Sequence, residues 1–472
     1  MKNKFYITTT LPYVNADPHI GFAMEIIRAD ATARYHRMLG EEVVFNTGTD
    51  EHGQKIYLKA KEEGMETQKY CDIRAENYKN LKQLLNLSFT NFIRTTDDYH
   101  VEAAKEFWKR CDKNGDIYKA KYQIKYCVGC ELEKTDSELV DGRCPIHPQL
   151  EIQLIDEENY FFKWSKYQQP LLELYDKNQD FVIPHFRLEE IKKFVQEGLK
   201  DFSISRLKTK MPWGIEVPGD PEQVMYVWFD ALVDYISTLG WPENKENFVN
   251  FWPGVQFAGK DNLRQQAAMW QAMLMSAGLP NSRQIYVEGF ITSNGQKMSK
   301  SLGNVVDPVA LVKQYGVDAV RYYLLREIPA YDDGDYSERR FKEIYNADLA
   351  NGLGNLVARV AKLCETSNLD VGVSNVNDFY LEVKIMLDQY QFNEALVYLW
   401  TRVAGLNKYL NDKKPWEKSG FHQAVLLGDL VENIRELTYN LKPFLPETAE
   451  KIEKQFTGPK IKSAEALYPR LS

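Results

Sequence analysis

Residues 5–45, FYITTTLPYVNADPHIGFAMEIIRADATARYHRMLGEEVVF, decide the fold of this 472-residue chain. The β-favouring run 5–10 leads into a loop with two prolines, and apolar residues then recur at helical spacing over 22–33. Gly40 stands where a helix end favours left-handed backbone, and 42–45 is the next strand. This order of strand, loop, helix and strand predicts a parallel α/β sheet with its ligand site at the carboxyl ends of the strands.

The composition is that of a folded chain with large buried cores, since 44% of the residues are hydrophobic and 13% are aromatic. The length predicts about three domains. The net charge of −8 does not indicate a nucleic-acid binder, although a local basic surface would suffice for one. The N-terminus lacks the apolar run of a signal peptide, and no stretch reaches about 18 apolar residues. We therefore expect a cytoplasmic protein with no membrane span.

The first polar loop meets its helix at His19, Ile20 and Gly21. Backbone N–H groups and the helix dipole favour a phosphate at such a helix N-terminus. A capping or packing role for His19 is an equal alternative when the histidine is considered by itself.

A second polar loop follows the next strand at 46–53, NTGTDEHG. Asp50 could bind an ammonium group, a ribose or a metal ion. It could also cap the helix that we predict from residue 54, since aspartate is common at helix N-caps. Because both loops lie at the same sheet edge, the ligand-binding alternative gains weight.

Four metal-ligating residues, Cys127, Cys130, Cys144 and His147, have the spacing C-x2-C, thirteen residues, C-x2-H. Three thiolates and one imidazole close a tetrahedral Zn²⁺ site and leave no position for water, so we predict one structural zinc ion per chain. The segment is polar, so the metal should supply much of its stability. The other three cysteines are scattered, which is typical of a reducing compartment rather than a disulfide framework.

The second half of the chain repeats the pattern of strand, polar loop and helix. The strand 255–258 runs into Gly259 and Asp261 ahead of a helical segment. The segment 223–235 is β-favouring at first and then helical. Its Trp228 fits a core position, and also a pocket wall, since an aromatic plane suits a thioether or an aliphatic tail.

A third polar loop, 289–304, reads GFITSNGQKMSKSLGN and follows a strand predicted over 285–290. Lys297 and Lys300 lie three residues apart between glycines, so both could approach a polyanion. A solvated basic turn is the commoner explanation of this pattern alone. Asp307 and the proline after it then predict a helix start.

From about Arg339 the apolar spacing is helical, over 351–363, 381–410 and 422–441. This pattern predicts an α-helical bundle at the C-terminal end of the chain.

With these residues assembled, the chain resembles the methionyl-tRNA synthetase family, within the class I aminoacyl-tRNA synthetases, over essentially its whole length. HIGF at 19–22 is similar to the HIGH signature, and KMSKS at 297–301 matches its signature in every letter. KMSKS alone marks class I synthetases generally. The features that point to methionine are LPY at 11–13, GTDEHG at 48–53, the single Cys3His knuckle, YVWFDA at 226–231 and the run 407–416 ending in KPW.

The resemblance implies an enzyme that forms methionyl-adenylate and pyrophosphate from L-methionine and ATP, and then transfers the methionyl group to the 3′-terminal ribose of initiator and elongator tRNA(Met). Mg²⁺ would accompany ATP. The implied methionine site is Leu11, Tyr13, Asp50, Trp228, Ala231, Tyr235 and Gln266. The implied ATP site is His19, Gly21, Gly259, Asp261, Lys297 and Lys300, with His19 and the two lysines catalytic. Asn355, Arg359 and Trp416 would read the CAU anticodon.

The implied fold is α/β, with a Rossmann-like parallel sheet split by a zinc-knuckle insertion and followed by an α-helical bundle domain. We expect the two halves of the catalytic domain at 1–114 and 213–325 and the insertion at 115–212. A stem-contact segment is expected at 326–345 and the anticodon-binding bundle at 346–472. No dimerising module is apparent, so we expect a monomer.

The sequence departs from the family pattern at three positions. Phe22 replaces the second histidine of HIGH, which removes a donor near the triphosphate. Stabilisation of the transition state must then come from His19 and the lysines. Asn262 and Gln266 stand where many members carry an apolar residue and a histidine facing the methionine side chain. We interpret these changes as a divergent subgroup, because the other positions of the methionine site match.

Other class I synthetases are the nearest alternatives. Enzymes for leucine, isoleucine and valine carry an editing insertion larger than the residues available here, and a cysteine enzyme would use zinc in its amino-acid pocket. A non-catalytic tRNA-binding paralogue is an alternative of another kind. Phe22 favours it, and the intact KMSKS motif opposes it.

Overall fold

The computed structural model of the chain describes residues 3–130, 132–134, 136–298, 303–374 and 376–471. Lys300, which the resemblance makes catalytic, lies outside the described residues, as do the serines on either side of it.

A six-stranded parallel sheet forms the centre of the fold. Its strands are, in spatial order, Asn91–Arg94, Glu42–Thr49, Lys4–Thr8, Val255–Gly259, Gln284–Glu288 and Val182–Ile183. The central strand Lys4–Thr8 is buried from Phe5 onward, as strands covered on both faces are. Phe5 joins one hydrophobic core and Tyr6 another. The predicted parallel α/β sheet is confirmed.

The unit that decides the fold forms as expected, with one difference in length. The helix Ile20–Met38 crosses between the first two strands, and Gly40 takes the left-handed backbone with φ +86°. The second strand, Glu42–Thr49, runs four residues beyond the predicted end at residue 45. These four residues pair with Asn91–Arg94. Three of them, Asn46, Thr47 and Thr49, are polar and buried, and the fourth is a glycine, so an apolar pattern could not reveal that they belong to the strand.

The remaining helices around the sheet and its insertion are short, apart from one of sixteen residues. The α-helices are Gln54–Glu62, Thr67–Lys79, Leu81–Leu84, Asp98–Lys113, Gln168–Lys177, His185–Gln196, Val227–Ala231, Asp234–Ser237, Lys245–Phe251, Trp270–Ser276, Pro308–Tyr315 and Val317–Arg326. The 3-10 turns here are Asp136–Glu138, Trp164–Tyr167 and Lys260–Asn262, and Gln265–Met269 is a π-helical turn. Asp307 caps Pro308–Tyr315 through its carboxylate, as predicted.

The insertion is built on a long antiparallel hairpin of Ile117–Cys127 with Gln153–Phe162. Leu132–Lys134 and Phe202–Ser203 flank this hairpin. A second small sheet consists of Ser205–Leu207, Glu216–Val217 and Asp220–Met225. The edge strand Val182–Ile183 of the main sheet also comes from within 115–212, so this part of the chain contributes to the central sheet as well.

The C-terminal part is helical, after a two-stranded parallel pair of Ile291–Ser293 with Gly334–Tyr336. Its elements are Glu338–Ile344, the π-helical Tyr345–Gly354, Asn355–Thr366, Leu381–Asp388, Phe392–Lys413, the 3-10 turn Pro415–Glu417, Gly420–Leu441 and Pro446–Phe456. The single helix predicted over 381–410 is wrong, because the chain turns between Asp388 and Phe392.

Tyr390 explains this turn. It has a φ of +57°, and its ring packs against Phe257 and Tyr286 of the main sheet, with centroids 5.2 and 5.1 Å away. Its hydroxyl donates to the Gln284 side chain at 2.6 Å. The helical part is therefore fastened to the sheet by a residue that interrupts its own helix. None of the described helices is long and apolar enough to cross a membrane.

Candidate active site

The phosphate side of the site begins at His19, the N-cap of the helix Ile20–Met38. Its Nδ1 accepts from the backbone N–H of Gly21 at 3.0 Å. A Cβ at position 21 would lie 2.8 Å from the His19 ring, so a larger residue there would displace the imidazole. His19 therefore caps the helix, as one of the two alternatives predicted. This role leaves its Nε2 free to face a ligand.

His19 can also act as an uncharged hydrogen-bond donor. Much of its ring is accessible to water, yet it sits in a recess where nearby protein atoms lower its pKa. At neutral pH the ring is therefore uncharged. Because Nδ1 accepts from Gly21, the proton resides on Nε2 and can be donated to an anion.

Asp261 lies just after the carboxyl end of the strand Val255–Gly259, and Lys297 is near enough for its charge to act on it. The Asp261 side chain is exposed, yet nearby protein atoms raise its pKa. A backbone hydrogen bond opposes this shift, followed by the ammonium charges of Lys297 and Lys260. The Lys297 ammonium also lies 6.0 Å from the Phe290 ring centroid. The lysine of the third loop therefore acts through its charge on a residue expected to bind ATP.

The third loop is also joined to the first. Asn304 donates its side-chain amide to the carbonyl of Lys297 at 3.2 Å. The backbone N–H of Ile20 donates to the carbonyl of Val306 at 3.1 Å. The start of the His19 helix and the exit from the lysine loop are therefore fixed to each other. The structure thus joins Gly21 to His19 and fixes their helix to the lysine loop, and it places the charge of Lys297 near Asp261, two residues after Gly259.

The amino-acid side begins with Tyr13 and Asp50, which form a short parallel bridge beyond the ends of the first two strands. The Asp50 N–H donates to the Pro12 carbonyl at 3.0 Å, and the Val14 N–H donates to the Asp50 carbonyl at 3.3 Å. Asp50 is only 3% exposed. Gly53, not Asp50, is the N-cap of the next helix, so the capping alternative for Asp50 is wrong.

Trp228 and Ala231 lie on the short helix Val227–Ala231, and Tyr235 lies on the next turn. The Trp228 indole N–H is buried and has no hydrogen-bond partner among the described residues, which leaves a donor for a ligand. Tyr6 of the central strand donates its hydroxyl to the Tyr235 carbonyl at 2.8 Å. Leu11 is half-buried just after that strand. These residues therefore lie beside the first strand, on the face opposite the helix Ile20–Met38.

Gln266 closes this side of the pocket from a π-helical turn, where the sequence had predicted a regular helix. Its amide nitrogen donates to the Tyr235 hydroxyl at 2.6 Å. Its oxygen accepts from the Gln256 amide at 2.9 Å. Both bonds are buried, so Gln266 fixes the direction of the Tyr235 hydroxyl. Asn262 is half-buried on the turn just before it.

The four predicted zinc ligands come together at the tip of the insertion hairpin. Their ligand atoms all lie within 4.8 Å of one another. The Cys130 and Cys144 sulfurs are 3.5 Å apart, and His147 Nδ1 is 3.2 and 3.8 Å from the Cys130 and Cys127 sulfurs. Tetrahedral bonds of Zn²⁺ to sulfur and nitrogen place ligand atoms about 3.5–3.8 Å apart. The residues therefore fit one zinc ion.

The knuckle lies beside the amino-acid side of the cleft. The Lys55 ammonium donates to the Gly129 carbonyl at 3.5 Å. The same ammonium lies 5.7 Å from the centroid of the Tyr13 ring. One lysine thus contacts both the metal-binding loop and the loop that carries the methionine-site tyrosine.

Two of the three predicted anticodon residues contact each other in the helical part. The Arg359 guanidinium lies 5.6 Å from the Trp416 ring centroid and donates to the Asn411 side chain at 2.8 Å. Asn355 is one helical turn before Arg359 on the same helix. Trp416 is 45% exposed. An exposed indole beside an arginine suits the stacking of an unpaired base.

Comparisons with known proteins decide the family. The family described as tRNA synthetases class I (M) matches residues 5–154 and 148–361. The methionine–tRNA ligase of Thermosynechococcus vestitus is 45% identical over 96% of this chain and 90% of its own length. That of Thermotoga maritima is 42% identical over 95% of this chain and 74% of its own. The chain belongs to the methionyl-tRNA synthetase family.

Solved structures agree with this assignment. Methionyl-tRNA synthetase of Mycobacterium tuberculosis in complex with methionyl-adenylate superimposes with a TM-score of 0.92 at 38% identity, covering 100% of both chains. The resemblance stated from HIGF, KMSKS and the methionine-site motifs is thus confirmed, as are the predicted α/β fold class and the ligase activity.

One departure from the family pattern has a structural explanation. Phe22 is half-buried and packs edge-on against Tyr78, with ring centroids 5.4 Å apart. It therefore supports the helix Thr67–Lys79 beside the cleft, where a second histidine would have offered a donor.

Sequence reasoning missed one buried network in this synthetase. Asp230 Oδ2 lies 2.7 Å from His52 Nδ1, and Asp230 Oδ1 lies 2.8 Å from His100 Nε2. His52 and Asp230 both stand inside motifs that the sequence had singled out, GTDEHG and YVWFDA. Their pairing spans 178 residues, however, and no local pattern could have predicted it.

Proposed function

We propose that the cleft formed by the three loops joins methionine to ATP, the first step in the ligation of methionine to tRNA. The observation that carries this proposal is the joining of the His19 helix start to the exit of the lysine loop, whose Lys297 charge acts on Asp261. The Tyr13–Asp50 bridge lies beyond the ends of the neighbouring strands. The match to an M. tuberculosis enzyme solved with methionyl-adenylate supports it.

In this mechanism, methionine is held by its charge and by its side chain. The buried carboxylate of Asp50 binds the α-ammonium group, because an opposite charge repays the desolvation of both groups. Leu11, Tyr13, Trp228 and Ala231 wall the thioether, which is polarisable and packs well on aromatic rings. The Gln256–Gln266 pair points the Tyr235 hydroxyl so that its own proton is available to the pocket.

The reaction needs no covalent nucleophile from the protein. The methionine carboxylate attacks the α-phosphorus of ATP in line, the bond to the β-phosphate oxygen breaks, and pyrophosphate leaves with the electron pair. The protein must hold two anions together and neutralise charge on the leaving group. His19 Nε2–H and Lys297 are placed to do so, and Lys300 is proposed as the second cation of the loop. Gly21 and Gly259 let backbone approach the nucleotide.

Phe22 adds no donor, so the lysines supply a larger share of the charge stabilisation than in relatives with both histidines. Contacts that strengthen in the transition state raise the rate, and cations beside the leaving group meet that requirement because its negative charge grows there. The methionyl group then passes from the adenylate to the 3′-terminal ribose of tRNA(Met), and AMP leaves. Asn355, Arg359 and Trp416 are proposed to read the anticodon.

The metal roles follow from the residues. Zinc would be held by Cys127, Cys130, Cys144 and His147, where it would organise the hairpin tip rather than take part in the reaction. Mg²⁺ is proposed to enter with ATP. Among the described residues the knuckle is the one metal-type cluster of His, Cys, Asp and Glu, so Mg²⁺ would be carried mainly by the phosphates. A monomeric, cytoplasmic enzyme remains our proposal.

Two substitutions separate the two steps. Lys297→Ala should reduce methionine-dependent ATP–pyrophosphate exchange about 100-fold, the scale of one lost transition-state contact. Trp416→Ala should leave exchange within about twofold and lower tRNA charging by 10-fold or more, since one stacked base contributes about 1–3 kcal/mol. Unchanged pyrophosphate exchange in Lys297→Ala would refute the catalytic role of Lys297. Equal loss of exchange and charging in the tryptophan variant would refute the anticodon assignment.

A further inference from the structure

A buried carboxylate joins the two walls of the proposed methionine pocket. Asp230 is fully buried, and each of its oxygens meets a histidine nitrogen, His52 Nδ1 at 2.7 Å and His100 Nε2 at 2.8 Å. His100 is itself fully buried, and its other nitrogen lies 2.9 Å from the Ser237 hydroxyl. We refer to His52, Asp230 and His100 as the Asp230 clamp.

The protonation of the clamp follows from its chemistry. Burial raises the pKa of Asp230, but the two histidines outweigh burial and hold it below its ordinary value. An ionised carboxylate only accepts hydrogen bonds. Both facing nitrogens therefore carry protons, and the clamp consists of two N–H donors directed at one carboxylate. Such charge-assisted bonds are short and directional, so they fix position well.

Each arm of the clamp leads to a different part of the pocket. His52 is two residues beyond Asp50, and the next residue, Gly53, donates its N–H to the Trp213 carbonyl at 3.2 Å. Asp230 lies between Trp228 and Ala231 on their short helix. The clamp therefore links the ammonium-binding loop directly to the wall expected to hold the side chain. His100 anchors this junction to the helix Asp98–Lys113.

The clamp is a polar link between these two walls, and charged groups beside it are directed elsewhere. Glu51, between Asp50 and His52, is directed away from the clamp to Arg94, with bonds of 2.7 and 2.8 Å. The His52 ring packs edge-on against Trp213 at 5.7 Å. Asp234, one turn after Asp230, is buried, and its Oδ1 has no hydrogen-bond partner among the described residues. It therefore offers no second bridge to the Asp50 loop through that oxygen.

We propose that Asp230 is a positioning residue that sets the distance between Asp50 and the Trp228–Ala231 wall, and thereby the affinity and selectivity for methionine. This inference rests on the methionine site assigned in the proposed function. Misplacement of a binding group by about 1 Å can cost about 100-fold in rate. The clamp contacts neither His19 nor Lys297, so its loss should spare the ATP side.

The test compares the KM for methionine with the KM for ATP in pyrophosphate exchange, using the full-length chain. His52→Phe keeps a ring against Trp213 but removes the donor to Asp230. His52→Asn places an amide N–H near the position of Nδ1 and so retains the donor. Asp230→Asn is the third variant. Asp318→Asn is the matched control, since Asp318 is a buried aspartate that accepts from the Thr448 N–H in the helical part.

We expect His52→Phe and Asp230→Asn to raise the KM for methionine at least 10-fold while the KM for ATP stays within about twofold. His52→Asn should recover most of the methionine affinity lost in His52→Phe. The ratio of exchange with methionine to exchange with norleucine should fall in His52→Phe and Asp230→Asn, and it should recover most of its wild-type value in His52→Asn. The control should lower the thermal midpoint without moving either KM.

A parallel rise in both KM values would overturn the inference, and so would a methionine KM within twofold of wild type in His52→Phe. If Asp230→Asn does not fold, the two His52 variants decide the question. Wild-type exchange is read in the same assay. Absence of wild-type exchange with methionine would refute the proposed function itself. Normal wild-type exchange, together with an unchanged KM for methionine in the variants, would refute only the positioning role of Asp230.

Discussion

Gly129 offers a sharp test of the zinc knuckle, because it lies against a ligand ring with no space to spare. A Cβ at this position would stand 2.5 Å from His147 Cγ and 2.6 Å from Cδ2. The backbone of Gly129 is not in the left-handed region. The change to alanine therefore acts through space alone, and the imidazole is the group that must move.

The magnitude follows from these distances. Ordinary van der Waals contact begins at 3.4 Å, so the ring must retreat by about 0.9 Å. Metal–ligand distances in a well-formed site lie within about 0.2 Å of their standard values. His147 should therefore be lost as a ligand. Even changes outside the ligand set weaken metal affinity about 10- to 100-fold. We expect at least the upper figure, or about 2.8 kcal/mol, since each tenfold is about 1.4 kcal/mol.

The assay is competition for zinc between the protein and a chromogenic chelator. Wild type should retain about one zinc ion per chain, and Gly129→Ala should release it at about 100-fold lower chelator concentration. Gly405→Ala is the matched control. Gly405 lies exposed within the helix Phe392–Lys413, and nothing lies within 4 Å of its added Cβ. It should bind zinc like wild type. Wild-type zinc affinity in Gly129→Ala would refute the knuckle geometry.

Three further predictions concern the sheet and the pocket. Gly48→Ala should lower the thermal midpoint markedly, because its Cβ would collide with the Ile93 carbonyl of the adjacent strand, and a midpoint near wild type would contradict the close pairing. Gln266→Leu should cost about 1–3 kcal/mol for each of its two stranded hydrogen-bond partners in urea unfolding, and a loss below about 0.5 kcal/mol would contradict the network. Because the pKa of Asp230 is lowered in the folded state, its stabilising effect exists above its unfolded pKa of about 3.9 and disappears as pH falls through the folded value. The stability gap between wild type and Asp230→Asn should therefore narrow below about pH 4, and a constant gap would contradict this assignment.

Local patterns predicted the parts of the molecule that local chemistry determines. The 5–45 unit has a helix-period apolar face and a terminating glycine, so its form could be derived. The C-x2-C and C-x2-H spacing could be interpreted because two knuckles reach one metal only at such spacing. His19 could be placed at a helix start, although only the structure shows that Gly21 occupies its Nδ1.

The remaining features depend on contacts between distant parts of the chain. Asn46 and Thr47 of the second strand are buried and make side-chain hydrogen bonds with Thr8 and Thr9, at and just after the end of the first strand. Their polar character resembled that of a loop. Tyr390 breaks a helical pattern because its ring fits against two aromatic residues of the sheet. The Asp230 clamp pairs residues 178 positions apart in the chain. In each case tertiary packing overrides a local preference, which a single sequence does not reveal.

The central claim is that this cleft activates methionine. Its most direct test is ATP–pyrophosphate exchange by the wild-type chain, measured with each of the twenty amino acids in turn. The claim predicts strong exchange with methionine and exchange near background with the others, including leucine, isoleucine, valine and cysteine. Exchange that is strongest with another amino acid, or absent with all of them, would contradict it.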